Sequence, residues 1–283
     1  MQKIDRLGWA AGFSFRAYGL LIGVRASRAD VLADLRSCLP FGAEITDEVE
    51  VDYLYSIIAG GPDERGRVRR FHIVDADAVQ LGRSTSWDAL LEAFATDLEL
   101  FVGEHARGRV FVHAGVVGWQ GGAIVLPGRT LSGKSALVAE LVRAGATYYS
   151  DEFAILDEGG LVHPFQRPIM LRSRTDPGAA KRTPQDLSAC QPAGAAPVDC
   201  VLFTRFRPGA RFRPKPISPG AACLEILKHT LSARTQPELV LPVLRAVTER
   251  AQAYRSPRGE AAEVVPAVLA LSGSGIATGP RVA

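Results

Sequence analysis

With 283 residues, 47% of them apolar, the chain is long enough for one large domain or two small ones and can bury a substantial core. Its formal charge of +3 is small and spread along the chain, which leaves no global field to draw it to nucleic acid or to an anionic membrane. No stretch stays apolar for the roughly 20 positions that a membrane helix needs, and Arg16 interrupts the apolar run near the N-terminus, so a soluble, cytoplasmic protein without a secretory signal is expected. Cys38, Cys190, Cys200 and Cys223 lie far apart, form no metal-ligand spacing, and read as reduced thiols.

In chain order, residues 1–106 alternate short β-like runs with helical ones. GFSFRAYG and LLIGVRAS read as strands, Arg28 to Cys38 as a helix, and VDYLYSIIAG and RRFHIVDADAVQL as further strands, so this part is expected to be a small α+β region that recognises substrate. From Thr85 to His105 the spacing of Trp87, Leu91, Phe94, Leu98 and Phe101/Val102 predicts an amphipathic helix, stopped by Gly108.

Residues 107–283 have a different pattern. VFVHAGVVGW, a turn at Gln120-Gly121-Gly122, and AIVLPG predict a β-hairpin whose second strand runs into a glycine-rich loop. A helix follows from Lys134 to about Ala144, with Leu137, Leu141 and Val142 on one face. ATYYSDEFAILDE then reads as a strand carrying Asp151 and Glu152, and GGLVHPFQRPIMLR as its continuation after a turn. Residues 173–198 lack an apolar period and read as a long, mobile loop. VDCVLFTRF predicts a buried strand, RPGARFRPKPISPG a basic connector, Ala221 to about Tyr254 a helical stretch broken near Pro237, and Gly259 to Leu271 a last helix before a Gly/Ser tail.

The loop Gly128-Arg129-Thr130-Leu131-Ser132-Gly133-Lys134-Ser135 fits the pattern G-x-x-x-x-G-K-[ST]. Its parts answer the needs of a polyphosphate. The glycines let successive backbone N–H groups turn inward, the following helix presents its positive end, Lys134 reaches the β/γ oxygens, and the Ser135 hydroxyl ligates Mg²⁺. The strand–loop–helix setting is the one this chemistry requires, so ATP and Mg²⁺ are the expected cofactors.

A second acid decides what such a loop does. The strand VDCVLFTRF ends in Arg205 and Arg207, not in an acid, whereas Asp151 and Glu152 follow the loop helix directly. A carboxylate on that neighbouring strand can take a hydroxyl proton or hold the metal. On a continuous strand the two would point to opposite faces unless a bulge intervenes. Asp151 is therefore taken as the base, with Ser135, Asp151 and Glu152 as candidate metal ligands. His113, on the hairpin strand beside the loop, is the next candidate, to steady a phosphate oxygen or the carboxylate; a satisfied core histidine is the alternative. Arg167 and Arg172, just past the acid strand, are candidate contacts to phosphate or substrate, as are the connector residues Arg205, Arg207, Arg211, Arg213 and Lys215.

Three blocks in this order, VHAGVV, the phosphate loop and YYSDE, resemble the catalytic domain of HPr kinase/phosphorylase, which shares a fold with ATP-dependent phosphoenolpyruvate carboxykinases. The resemblance covers about residues 108–172. It implies a mixed-sheet α/β phosphate-loop kinase domain preceded by the small α+β region. It also implies that His113, Lys134, Ser135 and Asp151 take the family's phosphate, metal and proton-transfer roles. Leu131, Ala136 and Glu152 depart from the family's usual residues, and no Glu-x-Arg-Gly stretch follows, which leaves it open whether phosphorolysis also occurs. HPFQRPIMLR, FRPGARFRPKPISPG and SPRGEAAE are similar to segments of the relatives that phosphorylate a serine of lasso-peptide precursors. The implied function is an ATP-dependent serine kinase whose partner is a peptide or small protein bearing a serine. Homo-oligomerisation stays open, as do a small-molecule kinase acting on free serine or another metabolite and a nucleotide-gated scaffold without turnover.

Overall fold

In the computed structural model the described residues are 8–62, 68–129, 132–165, 169–172, 179–182 and 192–273. They form two compact units, Met1–Arg107 and Gly108–Ala283.

The first unit contains β1 (Ala11–Ala17), β2 (Leu20–Ala26), α1 (Leu32–Ser37), β3 (Glu44–Thr46), β4 (Tyr53–Ile58), the two-residue strands β5 (Gly61–Pro62) and β6 (Val68–Arg69), β7 (His72–Ala76), β8 (Val79–Ser84) and α2 (Trp87–His105). Six of these strands form one sheet in the order β3-β1-β2-β4-β7-β8, with only β2 and β4 parallel. Tyr18 and Gly19, both at positive φ (48° and 80°), turn β1 into β2, the backbone that matches the twist of a tight hairpin. Ser86 caps α2 by accepting the Ala89 N–H at 3.3 Å. The buried stripe of α2 is Leu90, Phe94, Leu98 and Val102, so Leu90 takes the place expected of Leu91. The two flanking aromatics of the expected stripe have partners at its margin. Trp87 donates to Asp34 at 2.8 Å and Phe101 stacks on Tyr53.

The second unit contains β9 (Arg109–Trp119), β10 (Gly122–Pro127), α3 (Lys134–Arg143), β11 (Thr147–Ser150), β12 (Phe153–Asp157), β13 (Leu161–His163), β14 (Ile169–Arg172), β15 (Ala179–Arg182), β16 (Ala196–Phe206), β17 (Lys215–Pro216), α4 (Pro219–Leu227), α5 (Pro237–Arg250), β18 (Gln252–Arg258) and α6 (Ala261–Gly273). It is a mixed α/β unit. The first half of β9 pairs with β12 and the second half with β10 and β11. The pairing β9–β12–β13–β16–β10 returns to β9, so the sheet closes on itself. β10, β16 and β18 are parallel neighbours, and their C-terminal ends lie on one edge.

Side chains alternate across these strands as the pleat requires. Ile124 and Leu126 of β10, with Cys200 and Leu202 of β16, pack against α3 and α6. Ala123, Val125, Val201 and Phe203 point to the other side and pack with α4 and α5. Gly115 of β9 lets α3 come close, because a Cβ there would lie 2.6 Å from Val138 and 3.8 Å from the Lys134 Cβ.

Several sequence expectations are corrected. Residues 252–254, expected to end a helix, belong instead to the strand Gln252–Arg258, whose parallel pairing with β16 buries Ala253, Ser256 and Arg258. Ala179–Arg182, inside the stretch read as loop, pairs with Ile169–Arg172. Ala196 and Pro197, also assigned to that loop, begin β16, and the rest of it up to residue 191 lies outside the described residues, as does the Gly/Ser tail from 274. Among the described residues no helix is long and apolar enough to cross a membrane.

Candidate active site

β10 delivers the chain to the glycine-rich loop and α3 leaves it. Thr130 and Leu131 lie outside the described residues; the remaining six loop positions are held by their neighbours. Gly128 donates to the His113 carbonyl at 3.1 Å and Ser132 to the Arg129 carbonyl at 3.2 Å. Phe206, the last residue of β16, donates to the Ser132 carbonyl at 3.2 Å. Gly133 caps α3 with φ +90°, a left-handed backbone that a side chain would strain. A Cβ at Gly128 would lie 2.9 Å from Ser132 Oγ. Gly133 is therefore required by its backbone conformation, whereas a side chain at Gly128 would have to displace the Ser132 hydroxyl.

Lys134 begins α3 and is buried. Its Nζ donates to the Gly128 carbonyl at 2.7 Å and to the Arg129 carbonyl at 3.0 Å, so it curls back over the loop that it follows. Burial lowers its pKa, opposed by the nearby carboxylates Glu152 and Asp151.

The acids reach the loop through a break in the expected strand. Ser150 Oγ, fully buried, accepts the backbone N–H groups of Glu152 (3.2 Å) and Phe153 (3.1 Å), which turns the chain and ends β11 before β12 begins. Asp151 and Glu152 thus occupy a turn, and the alternation expected for a continuous strand does not apply. In register the turn lies opposite Ala114 and Gly115, since Ser150 pairs with Val116 and Phe153 with His113. Ala114 and Gly115 in turn pair with Pro127 and Leu126 at the end of β10. The acids are therefore one strand away from the start of the loop.

Asp151 is buried, and burial raises its pKa, opposed by hydrogen bonds from Ser135 and from Tyr148, whose hydroxyl lies 3.1 Å from Asp151 Oδ1. Burial and the charge on Asp151 raise the pKa of Glu152, opposed by Lys134. Lys134, Ser135, Asp151 and Glu152 are therefore one electrostatic cluster.

His113 joins it from β9. Its Nε2 stands 3.4 Å from Glu152 Oε1. Burial and then the charge on Lys134 push its pKa down to about 4, so at neutral pH the imidazole is neutral and this contact is not an ion pair. His113 also donates its backbone N–H to the His229 carbonyl at 2.7 Å, and Thr230 forms a bridge to Val112. The turn after α4 thereby brings His229 beside Arg129 and Lys134, whose charges join burial in lowering its pKa.

Arg258 at the end of β18, the most buried cation of the unit among the described residues, was not among the sequence candidates. Its Nη2 donates to the Gly133 carbonyl at 2.6 Å and its Nη1 to the Gly259 carbonyl at 2.9 Å, so it holds the loop from outside. Only its position in SPRG, just before a glycine and a helix, could have singled it out. Arg172 lies in β14, and Arg167 lies outside the described residues. Of the connector residues, Arg213 donates its backbone N–H to Ser256 Oγ at 2.8 Å.

The residues fit a Mg²⁺–polyphosphate group. Ser132 Oγ is buried with no hydrogen-bond partner among the described residues, and a lysine and a helix start close the cradle. Among the described residues no cluster of three His, Cys, Asp or Glu side chains forms a metal site.

Tyr148→Phe tests the local electrostatics. It removes a hydrogen bond that favours the ionised Asp151, so the Asp151 pKa is expected to rise further. The acidic limb of any activity that needs the carboxylate should then move up in pH, with stability reduced by about 0.5–1.5 kcal/mol. A pH–rate profile identical to that of the parent chain would show that Tyr148 does not act on Asp151.

No family model matches the sequence, and no curated protein matches it. Among solved structures, the HPr(Ser) kinase/phosphatase from Coxiella burnetii aligns with 57% of this chain and 92% of its own, at 14% identity and a TM-score of 0.33.

Proposed function

We propose that the chain is an ATP-dependent kinase that transfers the γ-phosphoryl group to a serine hydroxyl of a peptide or small protein. The observation that carries this reading is the buried carboxylate of Asp151. It is hydrogen-bonded to Ser135 at the start of α3 and shares a field with Lys134.

In this reading the loop amides and Lys134 bind the β/γ-phosphates, and Asp151 accepts the proton of the acceptor hydroxyl. Its raised pKa makes it a stronger base than an exposed aspartate, and its burial keeps bulk water from the same proton. Mg²⁺ would be held by Ser135 with Asp151 or Glu152, and supplies charge neutralisation across the phosphate oxygens. Neutral His113, next to Glu152, can donate or accept a hydrogen bond but adds no charge near neutral pH. The acceptor class rests on the sequence resemblance to kinases of lasso-peptide precursors, and Arg172 belongs to the reading as a candidate contact for that peptide.

The test is incubation of the full chain with Mg-ATP and serine-bearing candidate peptides, scored by the phosphate mass shift of the peptide and by kcat/KM against pH. Transfer should require ionised Asp151, so kcat/KM should fall as the pH drops through a limb above the ordinary aspartate value of about 3.9. Because Asp151 and Glu152 interact, that limb belongs to the pair. Faster turnover of free serine would make the protein a small-molecule kinase, and ATP binding without transfer to any acceptor would make it a scaffold.

A further inference from the structure

β10 leaves the sheet at Gly128 to become the phosphate loop, and the edge of β9 that it vacates is taken up by the turn after α4. Thr230 forms an antiparallel bridge to Val112, and the His113 N–H donates to the His229 carbonyl at 2.7 Å, so His229 stands opposite His113. The His113 carbonyl, on the same edge, accepts the Gly128 N–H at 3.1 Å. Residues directly opposite in an antiparallel pair share a face. That face carries α3, because Gly115, two residues further along β9, lies against Val138 and Lys134. His229 therefore shares the side of the sheet on which the loop helix sits.

The half-buried imidazole of His229 has no hydrogen-bond partner among the described residues. Glu225, one turn earlier in the chain, is paired with Lys228 at 3.0 Å and with Arg255 at 3.3 Å. Lys134 and Arg129 lie close enough for their charges to act on the ring, and Lys134 Nζ is itself held at the Gly128 and Arg129 carbonyls. On the other side of His113, β12 brings Phe153 into register and Glu152 into contact. His113 thus has the two acids on one flank and His229 on the other.

A polyphosphate whose end is drawn to Lys134 enters between those flanks. The acids repel its oxygens, whereas an imidazole offers an N–H to them without adding a further fixed cation. A preset donor of this kind is suited to an oxygen whose charge changes as the phosphoryl group leaves.

We infer that His229 donates a hydrogen bond to an oxygen of the terminal phosphate of the bound nucleotide. The inference rests on the reading of the loop as a nucleotide site, and it adds to that site a residue that no loop motif contains.

The test compares two probes on the full chain, Mg-ADP and the β,γ-imido analogue of Mg-ATP, with binding followed by calorimetry. His229→Phe keeps a planar ring and removes the donor. It is expected to raise the Kd of the imido analogue about tenfold, as befits a lost hydrogen bond to a charged oxygen, and to leave that of ADP within about twofold. A general disturbance of the loop would weaken both nucleotides together. Independently of any variant, carbethoxylation of His229 by diethylpyrocarbonate, followed by mass spectrometry of its peptide, should be slowed by the imido analogue and not by ADP. Equal weakening of both nucleotides, no weakening of either, or a His229 reactivity that the imido analogue leaves unchanged overturns the assignment while the phosphate loop stands. If the unaltered chain binds neither nucleotide, the reading of the loop falls and the role of His229 falls with it.

Discussion

Asp151→Asn is expected to lower phosphoryl transfer by roughly 10²–10⁴-fold while leaving the Kd for ATP within about threefold of the parent value. Asparagine keeps the shape and can still accept hydrogen bonds from Tyr148 and Ser135, but it cannot take a proton from the acceptor. The same variant should stabilise the fold. Burial raises the folded-state pKa of Asp151 above its unfolded value, so the ionised carboxylate opposes folding at neutral pH. That destabilisation fades as the pH falls through the folded pKa and the group takes up a proton. The melting temperature of Asp151→Asn should accordingly exceed that of the parent chain by a few degrees, roughly 2–4 °C, at pH 7, and the gain should shrink towards pH 4. Lost transfer with gained stability marks a functional site, where activity is kept at a cost in stability. Transfer at near the parent rate would show that another group is the base.

Arg258 is expected to dominate the stability of the loop. Its side chain is 2% exposed, and its donors hold the Gly133 and Gly259 carbonyls. Burial lowers its pKa, yet a guanidinium remains charged at any physiological pH. Arg258→Ala leaves a void and removes both bonds, so a loss of about 2–4 kcal/mol is expected. In a unit of this size that corresponds to a fall in melting temperature of roughly 5–15 °C. Arg258→Met separates packing from positioning. It fills most of the space and removes the burial of a charge, so stability should largely recover, because the Gly133 carbonyl still accepts the Leu137 N–H at 3.2 Å. Nucleotide affinity should not recover, since Gly133 is no longer held against β18. If Arg258→Met binds Mg-ATP as tightly as the parent chain, Arg258 is a packing residue alone.

Much of the site was legible because its signals are local. A strand, a glycine-spaced loop and a helix face occupy consecutive residues, so spacing alone placed Lys134 and Ser135 at the start of a helix and His113 on the paired strand. The break at Asp151 was also local, but it depends on Ser150 choosing backbone N–H groups over solvent, and strand periodicity conceals that choice. The register that brings Asp151 and Glu152 to the level of Leu126 and Pro127 needs both neighbours of β9, and no single segment contains it.

By itself, then, the sequence determined the loop, its strand and helix, and the residues beside them that can carry charge, because each follows from backbone freedom and side-chain spacing within about a dozen residues. Only the tertiary structure decided that 252–254 belong to a strand rather than to the end of a helix, that the ladder of strands closes into a ring, and that His229 and Arg258 reach a loop more than 90 residues earlier in the chain. Those outcomes come from pairing and burial between distant segments, where the gain from a partner strand or a buried hydrogen bond outweighs local preference.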